Sequence, residues 1–268
     1  MKLHLSPIAS LWLVVITTAG AQTFPLSERS LKSAFADRTG ALVLIDTTTQ
    51  AQSVYHPKIA AEKFAPCSTF KIWNTLIGLE NGTIHSADEP FYKWDGQQRF
   101  IPAWNQDLTL KAAFQASCVP AFQALARKIG AEKMQLWIDK IGYGDRNLSA
   151  GIDVFWLPNP GRKTVLISPG EQAQLLAKLV TGKLPVSEKA RATLREVMFI
   201  EKTPLGSFSG KTGTGTNEAG NYNLGWFVGY VETSGKTYAF ACLLQGSNVM
   251  GKDARAIVET VLKENGYW

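Results

Sequence analysis

The sequence predicts an α/β (α+β) protein: an antiparallel sheet built from both chain ends and flanked by terminal helices, with an all-helical subdomain inserted between. Three observations lead there. Strand-like runs cluster near the two ends, around residues 40–56 and after residue 203. Apolar residues in the middle recur at helical spacing. No repeat or low-complexity stretch interrupts the 268 residues, enough chain for one large domain or two interleaved subdomains. The expected boundaries are 22–62 and 203–268 for the sheet part and 63–202 for the helical part.

Residues 31–38 have helical character, and Gly40-Ala-Leu-Val-Leu-Ile-Asp46 reads as a strand. A turn over 47–50 lets residues 52–56 return as a second strand. Residues 68–79 form an amphipathic helix ended by Asn81-Gly82. Helices follow over 108–117, 120–129 and 132–141, with Pro120 suited to a first helical position. Residues 158–161 form a loop. Ser168-Pro169-Gly170-Glu171 has capping-box spacing and opens a helix to about Val180, and residues 187–198 form the next one. Strands are then expected over 206–213, 224–231 and 237–245, and an amphipathic helix over 253–265 closes the chain.

Residues 1–21 read as a cleaved export signal. Lys2 supplies the positive start, Leu-Trp-Leu-Val-Val-Ile at 11–16 the apolar stretch, and Ala19-Gly20-Ala21 the cleavage site. That run is too short to span a bilayer, so no stable membrane anchor is expected. The chain carries 28 Lys and Arg against 22 Asp and Glu, a formal net charge of +6. Its basic residues occur at most in pairs (Arg127-Lys128, Arg162-Lys163), unlike the clustered face of a nucleic-acid binder. The mild excess instead assists approach of an anionic small molecule.

Three cysteines, Cys67, Cys118 and Cys242, allow at most one intramolecular disulfide. Cys67 and Cys118 each adjoin a serine of interest and are the candidate pair, with free thiols the alternative. Beyond the leader only His56 and His85 occur, without metal-ligand spacing, so no metal site is expected. A histidine-based triad would have to use a His in a turn-like context.

Ser68-Thr69-Phe70-Lys71 is the only place where a lysine follows a serine by three residues. On a helix the two share a face, so the amine reaches the hydroxyl. Pro66 biases the preceding chain away from helix, which sets Ser68 at a helix N-terminus, where the dipole favours an oxyanion. Phe70, Ile72 and Trp73 give Lys71 apolar company that depresses its pKa toward a usable base. An N-cap serine followed by a snorkelling lysine is the alternative that this motif alone leaves open.

Lys211-Thr212-Gly213 lies on an expected strand. Gly206 and Gly210 are one residue too close for a phosphate loop, and no helix follows. Lys211 and Thr212 suit a substrate carboxylate instead, with Gly213 letting a ligand approach closely. Ser117-Cys118-Val119 stands at a junction of two helices, where a serine can relay a proton to a leaving nitrogen.

With these segments in this order, the chain resembles the class D serine β-lactamases, the oxacillinases, over essentially its whole length after the leader. Pro66-Cys67-Ser68-Thr69-Phe70-Lys71 matches the nucleophile segment, Ser117-Cys118-Val119 the Ser-x-Val motif, and Lys211-Thr212-Gly213 the third motif. Trp104, Gly151-Ile152-Asp153-Val154-Phe155-Trp156-Leu157 and Gly225-Trp226-Phe227-Val228-Gly229-Tyr230 also match. Val119 in place of asparagine argues against class A enzymes and penicillin-binding transpeptidases.

The resemblance implies the serine β-lactamase/DD-peptidase-like fold and hydrolysis of β-lactam antibiotics through an acyl-enzyme on Ser68. It implies no metal cofactor but a CO2-derived carbamate on Lys71, serving as base in acylation and deacylation. Val119, Trp156 and Leu157 would form the carbamate pocket, with the Trp156 N–H as a donor. Ser117, helped by Lys211, would protonate the lactam nitrogen. The N–H groups of Ser68 and Thr214 would form the oxyanion hole, and Lys211, Thr212 and Arg255 would take the substrate carboxylate beside Gly213 and Trp104. A periplasmic monomer or homodimer is implied. A β-lactam-sensing receptor domain that does not turn over and a cell-wall peptidase are the alternatives. The chain departs from the family at Tyr143-Gly144-Asp145, where asparagine is usual at the third position.

Overall fold

The computed structural model describes residues 26–268; the expected export signal lies outside the described residues. Six strands form one antiparallel sheet in the order β2-β1-β8-β7-β6-β5. In chain order they are β1 (Thr39–Asp46), β2 (Gln52–Tyr55), then, omitting a separate two-stranded ribbon of β3 (Pro90–Tyr92) and β4 (Leu108–Thr109), β5 (Phe199–Thr203), β6 (Gly206–Thr216), β7 (Tyr222–Thr233) and β8 (Lys236–Gln245). The early strands thus pair with the last one, and the sheet is assembled from both ends of the chain.

The helices are α1 (Glu28–Phe35), α2 (Pro57–Ala61), α3 (Lys71–Glu80), α4 (Leu110–Gln115), α5 (Val119–Ile129), α6 (Ala131–Ile141), α7 (Pro169–Val180), α8 (Glu188–Met198) and α9 (Gly251–Glu264). The sheet is covered on both faces, which is why β1 is apolar along its length instead of alternating. Leu42 and Leu44 pack with Phe35 of α1 and Ile257 and Val261 of α9. Ala41, Val43 and Ile45 join the larger core with Phe70, Trp73 and Leu176. α3 runs through that core, with every residue from Lys71 to Gly78 buried.

Several elements differ from expectation for local reasons. α1 begins at Glu28 because the Ser27 side chain accepts from the N–H of Ser30. The helix expected from residue 108 starts at Leu110: Leu108 and Thr109 pair with β3, and the Thr109 hydroxyl caps the helix. α2 and β3 were not expected; each is too short to show a period. β5 is an edge strand with Glu201 and Lys202 exposed, so its composition carries little strand signal. The capping box forms, with Glu171 N–H donating to Ser168 Oγ at 3.1 Å and Ser168 N–H to Glu171 Oε2 at 2.8 Å.

β5 covers β6 only between Gly206 and Ser209. From Gly210 onward the outer edge of β6 has no strand beside it among the described residues, and the residues that lead into α3 pack on Gly213 of this stretch.

Candidate active site

Ser68 does not open an α-helix. It sits in a 3₁₀ turn, Cys67–Phe70, and Lys71 is the first residue of α3. Cys67 enters the turn at φ 52°, a strained conformation for a residue with a side chain. The turn still brings the pair together: Lys71 Nζ lies 2.7 Å from Ser68 Oγ. Lys71 is wholly buried, so the snorkelling alternative is excluded. Burial, reinforced by the charge of Lys211, pushes the Lys71 amine well below the usual lysine range. A neutral amine has a lone pair to accept the serine proton.

Lys211 projects from β6 and is 3% exposed. Burial pulls its pKa down to about 7, and its ammonium donates to Thr212 O at 3.0 Å. A cleft of about 270 Å³ lies along this part of β6, lined by Phe114, Lys211, Thr212 and Arg255 among others. Arg255 is already paired on the cleft wall: its guanidinium donates to Glu259 at 2.6 Å and to Glu201 at 3.1 Å. Ser117, half-buried, turns the chain between α4 and α5 at φ 54°. Thr214 Oγ1 accepts from the N–H of Gly251 at the start of α9.

Gly213 has a task beyond the one expected. A Cβ there would stand 3.0 Å from Pro66 O, 3.1 Å from Thr69 Cγ2 and 3.3 Å from Cys67 Cβ. The bare face of the glycine admits the turn that carries Ser68. Trp104 is likewise tied into the protein, its indole donating to Ala116 O at 2.8 Å beside Ser117. It fixes residues 102–104 against the α4 end.

Trp156 is fully buried and stacks on Phe70, ring centroids 5.5 Å apart. Its indole N–H has no acceptor. A buried donor without a partner is uncommon, and Trp73 Nε1 in the same core is another. Lys71 Nζ lies 5.6 Å from the centroid of Phe122, on the helix that Val119 begins. Val119 and Leu157 are half-buried.

Cys67, Cys118 and Cys242 are free and buried, so the candidate Cys67–Cys118 disulfide is not formed. Burial raises the Cys67 thiol to about 12 and raises Cys118 as well. His56 Nδ1 is 2.8 Å from Gly40 O and His85 pairs with Glu89; neither hydrogen-bonds Ser68. Among the described residues no three His, Cys, Asp or Glu gather to hold a metal ion, and no helix is long and apolar enough to cross a membrane.

Three residues have roles that sequence reasoning did not assign. Trp226 Nε1 donates to Ala65 O at 3.0 Å, and Gln172 Nε2 to Thr69 Oγ1 at 3.0 Å. Asp145 accepts from the N–H groups of Leu166 and Asn147, so only the acceptor of the usual asparagine is used. The Trp226 motif carried a family match without a role, and Gln172 carried no signal.

The family described as the penicillin-binding protein transpeptidase domain matches residues 34–263. The chain is 35% identical to Beta-lactamase OXA-10 of Pseudomonas aeruginosa over 84% of each protein. It is 32% identical to Regulatory protein BlaR1 of Bacillus licheniformis, covering 88% of this chain but 39% of that protein. A solved class D β-lactamase from Bacillus subtilis superposes with a TM-score of 0.83 at 34% identity, over 91% of this chain and 98% of that one. With the Ser68–Lys71 pair set under the open edge of β6 in the same fold, the chain belongs to the class D β-lactamases, which are serine hydrolases.

Proposed function

We propose that the chain opens β-lactam antibiotics through an ester on Ser68, with Lys71 carboxylated at Nζ by CO2 as general base. The state of Lys71 carries the proposal: wholly buried, depressed in pKa by that burial, and 2.7 Å from Ser68 Oγ. Only a neutral amine adds CO2, releasing a proton as the N–C bond forms. The unpartnered Trp156 N–H fits a carbamate oxygen, with Val119 and Leu157 as apolar neighbours. When present, the carbamate supplies a negatively charged base beside Ser68.

Ser68 Oγ gives up its proton toward the Lys71 side chain and attacks the lactam carbonyl carbon. Charge gathers on the carbonyl oxygen, for which the Ser68 and Thr214 N–H groups are the donors. The lactam C–N bond then breaks, and Ser117, re-protonated from Lys211, gives the nitrogen its proton. A lysine with a pKa of about 7 exchanges protons readily at neutral pH. The proton held at Lys71 since acylation passes to solvent, Lys211 regains its own there, and water then attacks the ester; its proton goes to Lys71 and on to Ser68 Oγ as the ester C–O bond breaks. Lys211, Thr212 and Arg255 receive the substrate carboxylate beside Gly213, and Trp104 is the further substrate-contacting residue of the proposal. Arg255 exchanges part of its pairing with Glu201 and Glu259 for that carboxylate. Residues 1–21 direct export to the periplasm.

The likeness to BlaR1 favours one other reading, a receptor acylated without turnover. Penicillin hydrolysis followed alongside intact-protein mass spectrometry separates them. Many turnovers with a transient adduct on Ser68 are expected; a single equivalent consumed and a lasting adduct would support the receptor.

A further inference from the structure

Resting on Ser68 as the acylated nucleophile, we propose that Gln172 is a positioning residue for acylation. It fixes the Thr69 hydroxyl, and through it the turn that presents Ser68 to Lys71. A single 3₁₀ turn has weak internal hydrogen bonds, and this one is entered through a cysteine at φ 52°. It must be held from outside. Trp226 of β7 holds Ala65 O, and Gly213 of β6 packs on Pro66 and Cys67. The third hold passes through Thr69.

Thr69 Oγ1 donates to Pro66 O at 2.7 Å, the carbonyl that also accepts the Thr69 N–H at 3.2 Å. A hydroxyl has one proton and rotates to suit its partners. Gln172 Nε2 donates to that oxygen at 3.0 Å, so the hydroxyl can only accept there and must direct its own proton to Pro66. The reverse amide orientation would turn Oε1 to Thr69 and compete with Pro66 for the proton. Both side chains are wholly buried. Gln172 Oε1 is left without a donor, a cost that a side chain present only for packing would not carry.

The test is Gln172→Met, which keeps the length and removes both the donor and the orphan carbonyl. Stopped-flow acylation by a penicillin, per active site titrated, is expected to slow by about 10- to 100-fold, as small misplacements of reacting groups do. Affinity for the unreacted penicillin stays at the wild-type value, and Tm is unchanged or raised. Thr69→Val acts through the same hydroxyl, so the double variant is expected to acylate no more slowly than the slower single variant. Wild-type acylation in Gln172→Met, or additive losses in the double variant, would overturn the proposal. Should Gln172→Met not fold, wild-type acylation in Thr69→Val overturns it equally. No adduct on Ser68 in the wild type overturns the nucleophile assignment and this role with it. A normal adduct formed at the same rate in wild type and variants overturns the positioning role alone.

Discussion

At Lys71 the fold buries an amine at a cost in stability. An ammonium with no exposed surface and no carboxylate partner is strongly disfavoured, and the depressed pKa is the direct expression of that. Lys71→Ala is expected to fold, with penicillin turnover reduced at least about 100-fold, since both steps lose their base. Turnover near the wild-type rate would exclude the assignment. Protonation of Lys71 prevents CO2 addition, so activity falls as pH drops through its depressed pKa. Added bicarbonate is expected to restore part of it in an assay begun from CO2-depleted buffer. Trp156→Phe keeps the stack on Phe70 but removes the N–H, so the bicarbonate needed for half-maximal activity should rise, while a carbamate-independent enzyme would show no change.

At the scale of elements, β6 is both a wall of the cleft and the seat of the turn that carries Ser68. Gly213→Ala sets a methyl 3.0 Å from Pro66 O, so the turn or the strand must move. Overpacking of this kind costs about 1–3 kcal/mol, and acylation should suffer beyond what the lower stability explains. Urea denaturation beside acylation kinetics measures both. Which elements were legible follows from how local their signals are. Ser68 with Lys71 and the Ser168 capping box each lie within one turn of chain, so residue spacing alone revealed them. Gln172 and Trp226 meet the nucleophile turn across 103 and 161 residues, and no short pattern encodes such a meeting. β5 was hidden because an exposed edge strand has little need of apolar residues. Gly213 was legible as important, but its contact with residues 66–69 was not, since the two segments lie far apart in the sequence.

For the whole molecule, burial of Lys211 makes stability depend on pH. Its pKa falls from 10.5 for a free lysine to about 7 in the fold. Between those values the unfolded chain binds more protons, so this group makes stability rise with pH across the window. The buried Cys67 thiol acts oppositely once pH passes its unfolded value of 9.0, because its folded pKa is about 12. The rise is therefore best read between about pH 7 and 8.5. Lys211→Met should flatten part of that rise and stabilise the protein at neutral pH by at least about 1 kcal/mol, while slowing acylation. Urea midpoints across the window that match the wild type would contradict this.

The claim on which most rests is that Lys71 works as a carbamate. Nuclear magnetic resonance of the protein in carbon-labelled bicarbonate tests it without any substrate. A single protein-bound carbamate signal is expected, lost on mild acidification and absent from Lys71→Ala. No such signal in active wild-type protein, or one that persists in Lys71→Ala, would contradict the account.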